Sequence, residues 1–359
     1  MSRYDVAIVG AGIAGASLAA EIAPHASVLL LEAEDHPGYH ATGRSAAFWS
    51  ETYGGPLVQP LTSASGPWLR EAGLLTPRGE LYLAREQDKA LVDGFVATFG
   101  GRVSLERWPA EAARRWLPML APEWVEAVWV PSCTDIDVAG AHQLFLATAR
   151  RGGAVLKCSA PLRTATRSSS GWRLQAGHED IEADVLVDAA GAWADGVADI
   201  AGAPAIGIQP YRRTVVQLEV EPPAPADLPL VMAMDGSFYF KPEAGGRLWL
   251  SPHDETPDLP CDAAADETDV AVALDRFERA AGWPIKRVER RWAGLRSFAP
   301  DRLPVYGFDP VVPGFFWCAG QGGFGIQTAP AAARMAAGLL LGRPVAEIDP
   351  APYLPDRFR

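Results

Sequence analysis

The fold of this chain is decided near its start by the stretch Tyr4-Asp5-Val6-Ala7-Ile8-Val9-Gly10-Ala11-Gly12-Ile13-Ala14-Gly15. Its first six residues predict a buried parallel strand, the glycines predict a tight turn, and Ala16 to Ile22 predicts a helix. A second apolar strand, Val28 to Leu31, ends on Glu32. This order of strand, Gly-rich turn, helix, strand and acidic residue is typical of a dinucleotide-binding unit.

Each of these residues has a physical role in such a unit. Gly10 allows the tight turn, and Gly12 lets the backbone approach a pyrophosphate that lies on the helix N-terminus. Gly15 lets helix and strand pack closely, and Glu32 can accept hydrogen bonds from a ribose. The alternative is a Gly-rich turn in an ordinary α/β protein. The unit does not distinguish FAD from NAD.

The bulk composition is that of a globular protein. With 359 residues, the chain is long enough for two domains, or for one large α/β domain with an insertion. A formal net charge of -12 argues against nucleic acid and against an anionic membrane surface as partners. No oligomerisation signature occurs, so we expect a monomer.

The cysteines and the apolar runs bear on the cellular compartment. The four cysteines are scattered without a CxxC pair, which favours free thiols in a reducing compartment. Met1-Ser2-Arg3 is too short for a signal peptide, and the late apolar run Met335 to Leu341 is too short for a membrane span. We therefore expect a cytoplasmic protein without an integral membrane segment, with peripheral contact at the inner membrane as an open alternative.

Segments with βαβ character are separated by shorter β-rich pieces. We predict a mixed α/β fold in which a discontinuous Rossmann-like nucleotide-binding domain (1–50, 135–208 and 297–359) is interleaved with a mainly antiparallel substrate domain (51–134 and 209–296). Ser168 to Gly171 predicts a hairpin tip, and the acidic stretch His253 to Asp269 predicts an exposed loop. The ligand site is expected in the crevice between the two domains.

Two further segments have the composition of a cofactor site. In Trp317 to Thr328, a buried strand leads to four glycines and then to a helix N-terminus, which suits the pyrimidine edge of a flavin. A second phosphate site is the alternative. Gly38 to Ala47 combines small residues, hydroxyls and one arginine, and it can lie along a diphosphate or simply form a loop.

A few polar residues are candidates for a substrate pocket. Arg213 opens a β-rich segment, and Arg296 is flanked by apolar residues. An arginine in apolar surroundings needs an anionic partner, either a substrate carboxylate or an acid in a structural salt bridge. Tyr53 and Tyr239 can donate phenol hydrogen bonds, or they are ordinary half-buried aromatics. Glu80 is a solvated acid on a strand or a countercharge for a cationic substrate. The six histidines have no metal-binding spacing, so no metal is predicted.

Taken together, these stretches resemble the D-amino-acid oxidase/dehydrogenase superfamily of FAD enzymes, which includes glycine and sarcosine oxidases, over nearly the whole chain. Within it, they are most similar to the bacterial D-arginine dehydrogenases. The most specific matching stretches are Trp292 to Phe298 and Gln321 to Thr328.

The resemblance implies a role for each matching residue. Arg213 and Arg296 hold the substrate carboxylate, while Tyr53 and Tyr239 line the pocket and donate hydrogen bonds. The implied substrate-binding residues are Glu80, Phe48, Ser50, Gly323 and Gln327. The implied cofactor-binding residues are Gly10, Gly12, Ile13, Ala14, Gly15, Glu32, Ala33, Thr42, Gly43, Arg44, Ser45, Ala46, Ala47, Pro161, Ala190, Gly191, Trp193, Gly322, Gly323, Phe324, Gly325, Ile326, Gln327 and Thr328.

The chain also departs from the pattern of the D-arginine enzymes. Phe48 replaces a histidine, Ser50 replaces a threonine, and Ala33 stands where an arginine often follows the ribose-binding acid. These changes predict a more apolar pocket and weaken the expected preference for basic side chains. Some relatives bind flavin through a cysteine near Leu295 to Phe298, where this chain has none, so non-covalent FAD is expected.

The implied reaction is oxidation of a D-amino acid by hydride transfer from Cα to flavin N5, followed by hydrolysis to a 2-oxo acid and ammonia. The electron acceptor is left open among a quinone, a dye and oxygen. Two alternatives are a glycine or sarcosine type of amine oxidase that uses oxygen, and a non-catalytic FAD-binding subunit of a larger complex.

Overall fold

The computed structural model describes residues 2–345 and 347–359. The strands are, in chain order, β1 (Ser2–Val9), β2 (Val28–Leu31), β3 (Phe48–Trp49), β4 (Leu75–Pro77), β5 (Glu80–Arg85), β6 (Glu106–Pro109), β7 (Trp124–Val130), β8 (Thr134–Ile136), β9 (Val155–Lys157), β10 (Leu162–Ser168), β11 (Gly171–Ala176), β12 (Glu179–Asp188), β13 (Gln209–Val220), β14 (Leu230–Ala233), β15 (Tyr239–Glu243), β16 (Arg247–Ser251), β17 (Thr256–Pro257), β18 (Ile285–Phe298), β19 (Val305–Phe308) and β20 (Phe315–Ala319).

The helices lie between these strands. They are α1 (Ile13–Ile22), α2 (Gln59–Glu71), α3 (Lys89–Phe99), α4 (Val138–Arg151), α5 (Ala194–Ile200), α6 (Glu267–Ala281) and α7 (Gly325–Leu340). Short 3-10 turns cover Glu86–Asp88, Ala110–Arg115, Gly191–Trp193, Ala351–Tyr353 and Pro355–Phe358. None of the described helices is long and apolar enough to cross a membrane.

The first large sheet, which we call the nucleotide sheet, is built around five parallel strands. β1 lies between β2 and β12, β9 pairs with β2, and β20 pairs with β12. The antiparallel strands β10, β11 and β19 extend it. Helices α1, α4 and α7 cover one face, where Ile8, Leu30 and Phe316 are buried. Because parallel strands end at the same edge, β1, β2, β12 and β20 bring their carboxyl ends together.

The second large sheet, which we call the substrate sheet, contains β5 to β7 and β13 to β18 in a mainly antiparallel arrangement. Its longest pairing joins β13 to β18 from Gln209 opposite Phe298 to Val220 opposite Ile285. Helix α6 buries Phe277 against one face. On the other face, Phe48, Met232 and Tyr239 belong to a separate apolar cluster.

The predicted mixed α/β fold is confirmed, with the parallel unit at Tyr4 to Leu31 and the hairpin at Ser168 to Gly171 where the sequence indicates them. We propose that the two large sheets mark the two domains. Helix α2 lies in a segment assigned to the substrate domain, yet it packs against α7 beside the nucleotide sheet.

The prediction of an exposed loop over His253 to Asp269 is wrong in part. Thr256 and Pro257 form β17, and α6 begins at Glu267. The Asp254 carboxylate accepts hydrogen bonds from Thr214, and Cys261 faces a cavity described below. Asp254 is therefore attached to β13, whereas Glu255, Asp262 and Glu267 are exposed, as the acidic composition of the segment predicts.

Candidate active site

An elongated cavity of about 460 Å³ extends from the carboxyl ends of β1 and β2 to residues 294–297 of β18. Its walls come from the β1–α1 turn, the segment after β2, the loop after β12 and the Gly-rich loop after β20. This is the size of a typical ligand pocket. It also lies where open α/β sheets bind their ligands, outside the carboxyl ends of the parallel strands.

The β1–α1 turn has no room for side chains. Gly10 has a φ of +103°, and a Cβ added there would lie 2.4 Å from the Ala189 carbonyl oxygen. A Cβ on Gly15 would lie 1.9 Å from the Gly10 carbonyl oxygen, so α1 packs directly on the turn. The backbone of this turn is therefore open to a close ligand, with the N-terminus of α1 and its partial positive charge behind it.

Glu32 is held beside this turn by two backbone donors. Its Oε2 accepts from Ala11 N at 3.0 Å, and its Oε1 accepts from Glu34 N at 3.1 Å. Each carboxylate oxygen keeps a second acceptor site, so the same group can accept from ribose hydroxyls. The carboxylate is thus oriented before a ligand arrives.

Most of the residues predicted to bind the cofactor line this cavity. They are Gly10, Gly12, Ile13, Ala14, Glu32, Ala33, Thr42, Arg44, Ser45, Pro161, Ala190, Gly191, Trp193, Gly322, Gly323, Gly325 and Ile326. Seven predicted residues do not line it: Ala46, Ala47 and Gln327 line the smaller cavity described next, and the positions of the other four serve packing. Gly15 and Gly43 pack on backbone, Phe324 packs on Phe298, and Thr328 Oγ1 donates to the Phe324 carbonyl oxygen.

A second, much smaller cavity of about 20 Å³ adjoins the first. The two share four lining residues, Ser45, Arg296, Gly323 and Ile326. The remaining walls of the small cavity are Ala46, Ala47, Phe48, Tyr53, Arg213, Tyr239 and Gln327. All four residues predicted as catalytic, Arg213, Arg296, Tyr53 and Tyr239, therefore meet in one place.

The two arginines reach this cavity because of the strand register. Arg213 lies opposite Gly294, and Arg296 lies opposite Tyr211 on the antiparallel pair β13 and β18. Both side chains therefore project from the same face of the substrate sheet as diagonal neighbours. Gly294 leaves room for the Arg296 side chain, because a Cβ at this position would lie only 3.1 Å from Arg296 Nη1.

The two arginines differ in their partners. Arg213 Nη2 lies 3.1 Å from Glu255 Oε1, its Nε donates to the Asp254 carbonyl oxygen at 2.8 Å, and Nη1 lies 3.5 Å from Tyr53 Oη. Within the part of the chain that the structure describes, the Arg296 side chain makes no hydrogen bond or ion pair, although it is only 7% exposed. Burial lowers the pKa of Arg296, and the nearby charge of Arg213 lowers it further.

The tyrosines complete the small cavity. Burial raises the pKa of Tyr239, so its phenol keeps its proton and can donate it in a hydrogen bond. Tyr53 Oη lies close to the backbone of the Gly-rich loop, since a Cβ on Gly323 would be only 2.7 Å from it.

Gln327 lines the small cavity, but its amide is already used by the protein. Its Oε1 accepts from Ser50 N at 3.2 Å, and its Nε2 donates to the Tyr53 carbonyl oxygen at 3.1 Å and to Thr62 Oγ1 at 2.9 Å. Gln327 therefore fixes the backbone that carries Tyr53.

Two residues predicted to bind substrate, Glu80 and Ser50, do not line either cavity. Glu80 is fully buried and accepts from Ser50 Oγ at 2.7 Å, so the interpretation as a solvated acid is wrong. Its other oxygen, Oε1, has no partner among the described residues. Burial raises the pKa of Glu80 to about 7.

The structure also places residues at the site that the sequence did not single out. His142 Nε2 lies 2.8 Å from the Ala11 carbonyl oxygen and packs against Gly38, so it joins the two glycine segments. Cys261 and Ala263 line the cavity from a segment far along the chain. No local pattern marks these three residues. Ser297 is a polar residue at the end of an apolar strand, and that could have been a signal.

His253 lies close to Arg213 and Arg296. Its Nδ1 is 2.7 Å from the Gly236 carbonyl oxygen, and its ring is 5.6 Å from that of Tyr239. Burial, together with the positive charge of Arg213, lowers the pKa of His253 to about 3. The imidazole is therefore neutral, and its Nδ1–H donates to Gly236.

The fold and the cavity together define a protein that binds a dinucleotide across the edge of a parallel sheet. Residues 5–339 match the family model described as FAD dependent oxidoreductase, and the chain belongs to that family. FAD is its cofactor. A cavity lined by bare backbone at Gly10 and Gly12, with the carboxylate of Glu32 beside it, fits this group.

Comparisons with known proteins identify several similar chains. The FAD-dependent oxidoreductase domain-containing protein 1 of Bos taurus is 26% identical over 196 residues, which are 50% of this chain and 40% of that protein. The chain thus matches less than half the length of this relative. The glycine oxidase of Geobacillus kaustophilus is 26% identical over 373 residues, which cover 98% of this chain and 96% of that protein.

The crystal structure of glycine oxidase from Geobacillus kaustophilus has the same fold. It superposes with a TM-score of 0.86 at 23% identity, covering 99% of this chain and 98% of that one.

Proposed function

We propose that this protein oxidises the Cα–N bond of an amino acid with a free carboxylate, and that D-amino acids are its substrates. The observation that carries this proposal is Arg296, a buried guanidinium that has no partner within residues 2–345 and 347–359, on the wall shared by both cavities. The D configuration rests on the residues that resemble the D-amino-acid dehydrogenases, with the D-arginine enzymes as the nearest group.

A substrate carboxylate is the partner that Arg296 needs. Burying an unpaired charge is costly, so a buried guanidinium calls for an anion. The planar fork of an arginine matches a carboxylate with two parallel hydrogen bonds. Arg213 Nη1 and the phenol of Tyr239 face the same small space and supply further donors.

FAD, when bound, would supply the hydride acceptor for the substrate Cα–H bond. Gly10, Gly12 and Glu32 would hold its pyrophosphate and ribose, and Gly322, Gly323 and the N-terminus of α7 would lie at its ring system. Because Gly323 and Arg296 border both cavities, a carboxylate on Arg296 lies beside the ring end of the cofactor cavity. We propose that the FAD is bound non-covalently.

The chain's own residues orient the substrate. The ammonium group loses one proton to water, and the nitrogen lone pair then forms the C=N bond as the Cα–H bond breaks and its hydrogen leaves as hydride, for which bound FAD would be the acceptor. Water adds to the imino acid and releases ammonia and a 2-oxo acid. Arg213 and Arg296 hold the carboxylate, so the geometry of the Cα–H bond is set before the reaction.

We propose that uncharged side chains are preferred over basic ones. Glu80 is fully buried, lies outside both cavities and has a pKa of about 7, so it is a weak partner for a cationic side chain. The side chains beside the small cavity on the same face are apolar, among them Phe48 and Met232.

A second candidate is a glycine or secondary-amine oxidase that uses oxygen. Two observations favour it: the free space beside the arginines is only about 20 Å³, and the relative that matches the chain along its length is named glycine oxidase.

Anaerobic mixing of the FAD-loaded protein with D- and L-amino acids, glycine and sarcosine tests both candidates. We expect D-amino acids to bleach the flavin absorbance. Bleaching by glycine or sarcosine alone would favour the second candidate, with hydrogen peroxide formed in proportion to turnover. A protein that no amino acid bleaches would contradict the proposed function and favour an FAD-binding subunit without catalysis.

A further inference from the structure

The loop between β16 and β17 holds one edge of the Arg213 guanidinium. Arg213 Nε donates to the Asp254 carbonyl oxygen at 2.8 Å, and Nη2 lies 3.1 Å from Glu255 Oε1. This leaves the two hydrogens of Nη1, which lies 3.5 Å from Tyr53 Oη, and one hydrogen of Nη2 unused by the loop. The loop thus fixes the orientation of the guanidinium that a ligand meets.

Glu255 occupies a defined place because the residues on both sides of it are attached to β13. Asp254 Oδ1 accepts from Thr214 N at 2.7 Å, and Asp254 Oδ2 accepts from Thr214 Oγ1 at 3.0 Å. Thr256 is the strand partner of Arg212. The Glu255 backbone is therefore clamped to the strand that carries Arg213, so the carboxylate is aimed at this guanidinium by the fold.

Glu255 also changes the charge that a ligand meets. Arg213, Arg296 and Arg302 carry three positive charges, and Glu255 and Asp254 carry two negative charges, so one positive charge is left at the site. One substrate carboxylate neutralises it. A second carboxylate on the ligand would add a negative charge close to Glu255, which like-charge repulsion disfavours.

We propose that Glu255 positions Arg213 and sets the site's preference for ligands with one carboxylate over ligands with two. This inference rests on the proposed function, because it takes the anion at Arg213 and Arg296 to be a carboxylate. Glu255 acts through Arg213 and is a positioning residue.

Arg302 provides a matched control. Its Nη2 lies 2.7 Å from the same Glu255 oxygen, but from the solvent side, where the Arg302 side chain is 47% exposed. If Glu255 served only as a partner of Arg302, removing the Glu255 charge and removing the Arg302 charge would change ligand binding in the same way. If Glu255 acts through Arg213, these two substitutions alter the charge at the site in opposite directions, and their effects on ligand binding differ.

The experiment measures binding of propionate and succinate to the FAD-loaded protein by flavin absorbance at low ionic strength. Glu255→Gln keeps the size of the side chain and removes its charge, and we expect the ratio of the succinate to the propionate affinity to rise by about tenfold. Arg302→Met is expected to leave this ratio unchanged or to lower it. Glu255→Asp keeps the charge but shortens the reach, so it should weaken both ligands and leave the ratio near that of the wild type.

The outcomes separate the inference from the proposed function. If the wild type binds propionate and Glu255→Gln leaves the ratio within about twofold, or if Arg302→Met raises it as Glu255→Gln does, the inference is overturned and the carboxylate site stands. If the wild type binds neither acid, the carboxylate site itself fails, and the inference fails with it.

Discussion

Arg213 and Arg296 lie diagonally across two paired antiparallel strands and reach one cavity, yet of the two only Arg213 has a counter-ion in the part of the chain that the structure describes. Arg213 is held by the Glu255 carboxylate and the Asp254 carbonyl oxygen, whereas the Arg296 guanidinium is buried without a partner among the described residues. This difference gives the two arginines different roles. One arginine is pre-positioned by the protein, and the other keeps its hydrogen-bonding capacity for a ligand.

Replacing Arg296 by Met should change activity and stability in opposite directions. We expect kcat/KM for the best D-amino acid to fall by at least about a hundredfold, because a charged hydrogen-bond donor to the substrate is lost. The free energy of unfolding should rise by about 1 to 3 kcal/mol, because the variant no longer buries an unpaired charge. Steady-state kinetics and denaturant unfolding measure the two effects.

Arg212→Met is the matched control for this prediction. Arg212 is the neighbour of Arg213 on β13 but pairs with Asp269 at 3.1 Å, away from the cavity. It should leave kcat/KM nearly unchanged and should not stabilise the protein. An Arg296→Met variant with wild-type kcat/KM would remove this residue from carboxylate binding.

Replacing Gly294 by Ala should weaken carboxylate binding without removing a functional group. The added Cβ would lie 3.1 Å from Arg296 Nη1 and 3.2 Å from Arg44 Cβ, so the guanidinium has to move. We expect KM to rise by about tenfold, since a shift of a few tenths of an ångström impairs a bidentate contact. Gly94→Ala is the control, because a Cβ there meets nothing within 4 Å. Equal KM values for the two variants would contradict the proposed packing.

Replacing Glu32 by Gln should lower the affinity for FAD more than it lowers the stability of the folded protein. The amide retains one acceptor oxygen, but it loses the charge that receives hydrogen bonds from Ala11 N and Glu34 N. We expect the Kd of FAD to rise by about tenfold, in line with the loss of charge-assisted hydrogen bonds. Titration of the apoprotein with FAD, followed by flavin fluorescence, measures this. Glu182, a half-buried acid that lines neither cavity, supplies the control variant Glu182→Gln. Equal affinities for FAD in the two variants would contradict a ribose role for Glu32.

Replacing Glu80 by Gln should stabilise the protein at neutral and alkaline pH. The pKa of Glu80 is raised by burial from 4.5 to about 7, so the folded chain holds a proton that the unfolded chain releases. The wild type therefore loses stability as the pH rises from about 4.5 to 7, and the loss is complete above pH 7. We expect the variant to gain up to about 3 kcal/mol above pH 7 and little below pH 4.5.

Denaturant unfolding at a series of pH values checks this prediction. Glu86→Gln changes an exposed acid in the same part of the chain and should not alter the pH profile. A stability difference between Glu80→Gln and the wild type that does not vary between pH 4.5 and 7 would show that Glu80 carries no extra proton in the folded protein.

The nucleotide-binding part of the candidate site could be predicted from the sequence. The turn at Gly10 to Gly15 lies next to its strand and its helix, and backbone sterics over a few residues set its shape. The Gly-rich segment before α7 is equally local. The same reasoning found Arg213, Arg296, Tyr53 and Tyr239 only as candidates, because their neighbours in the sequence do not show where their side chains go.

What the sequence by itself determined is the order of strands, turns and helices in the parallel unit, since these depend on contacts between near neighbours along the chain. Only the tertiary structure decided that Arg296 forms no ion pair with any described residue, that Glu255 reaches Arg213, and that Glu80 is buried outside both cavities. These outcomes depend on the register of β13 with β18 and on loops that meet across long stretches of chain. The physical reason is that a charged side chain takes its partner from whatever the long-range pairing brings near, and a local pattern does not contain that information.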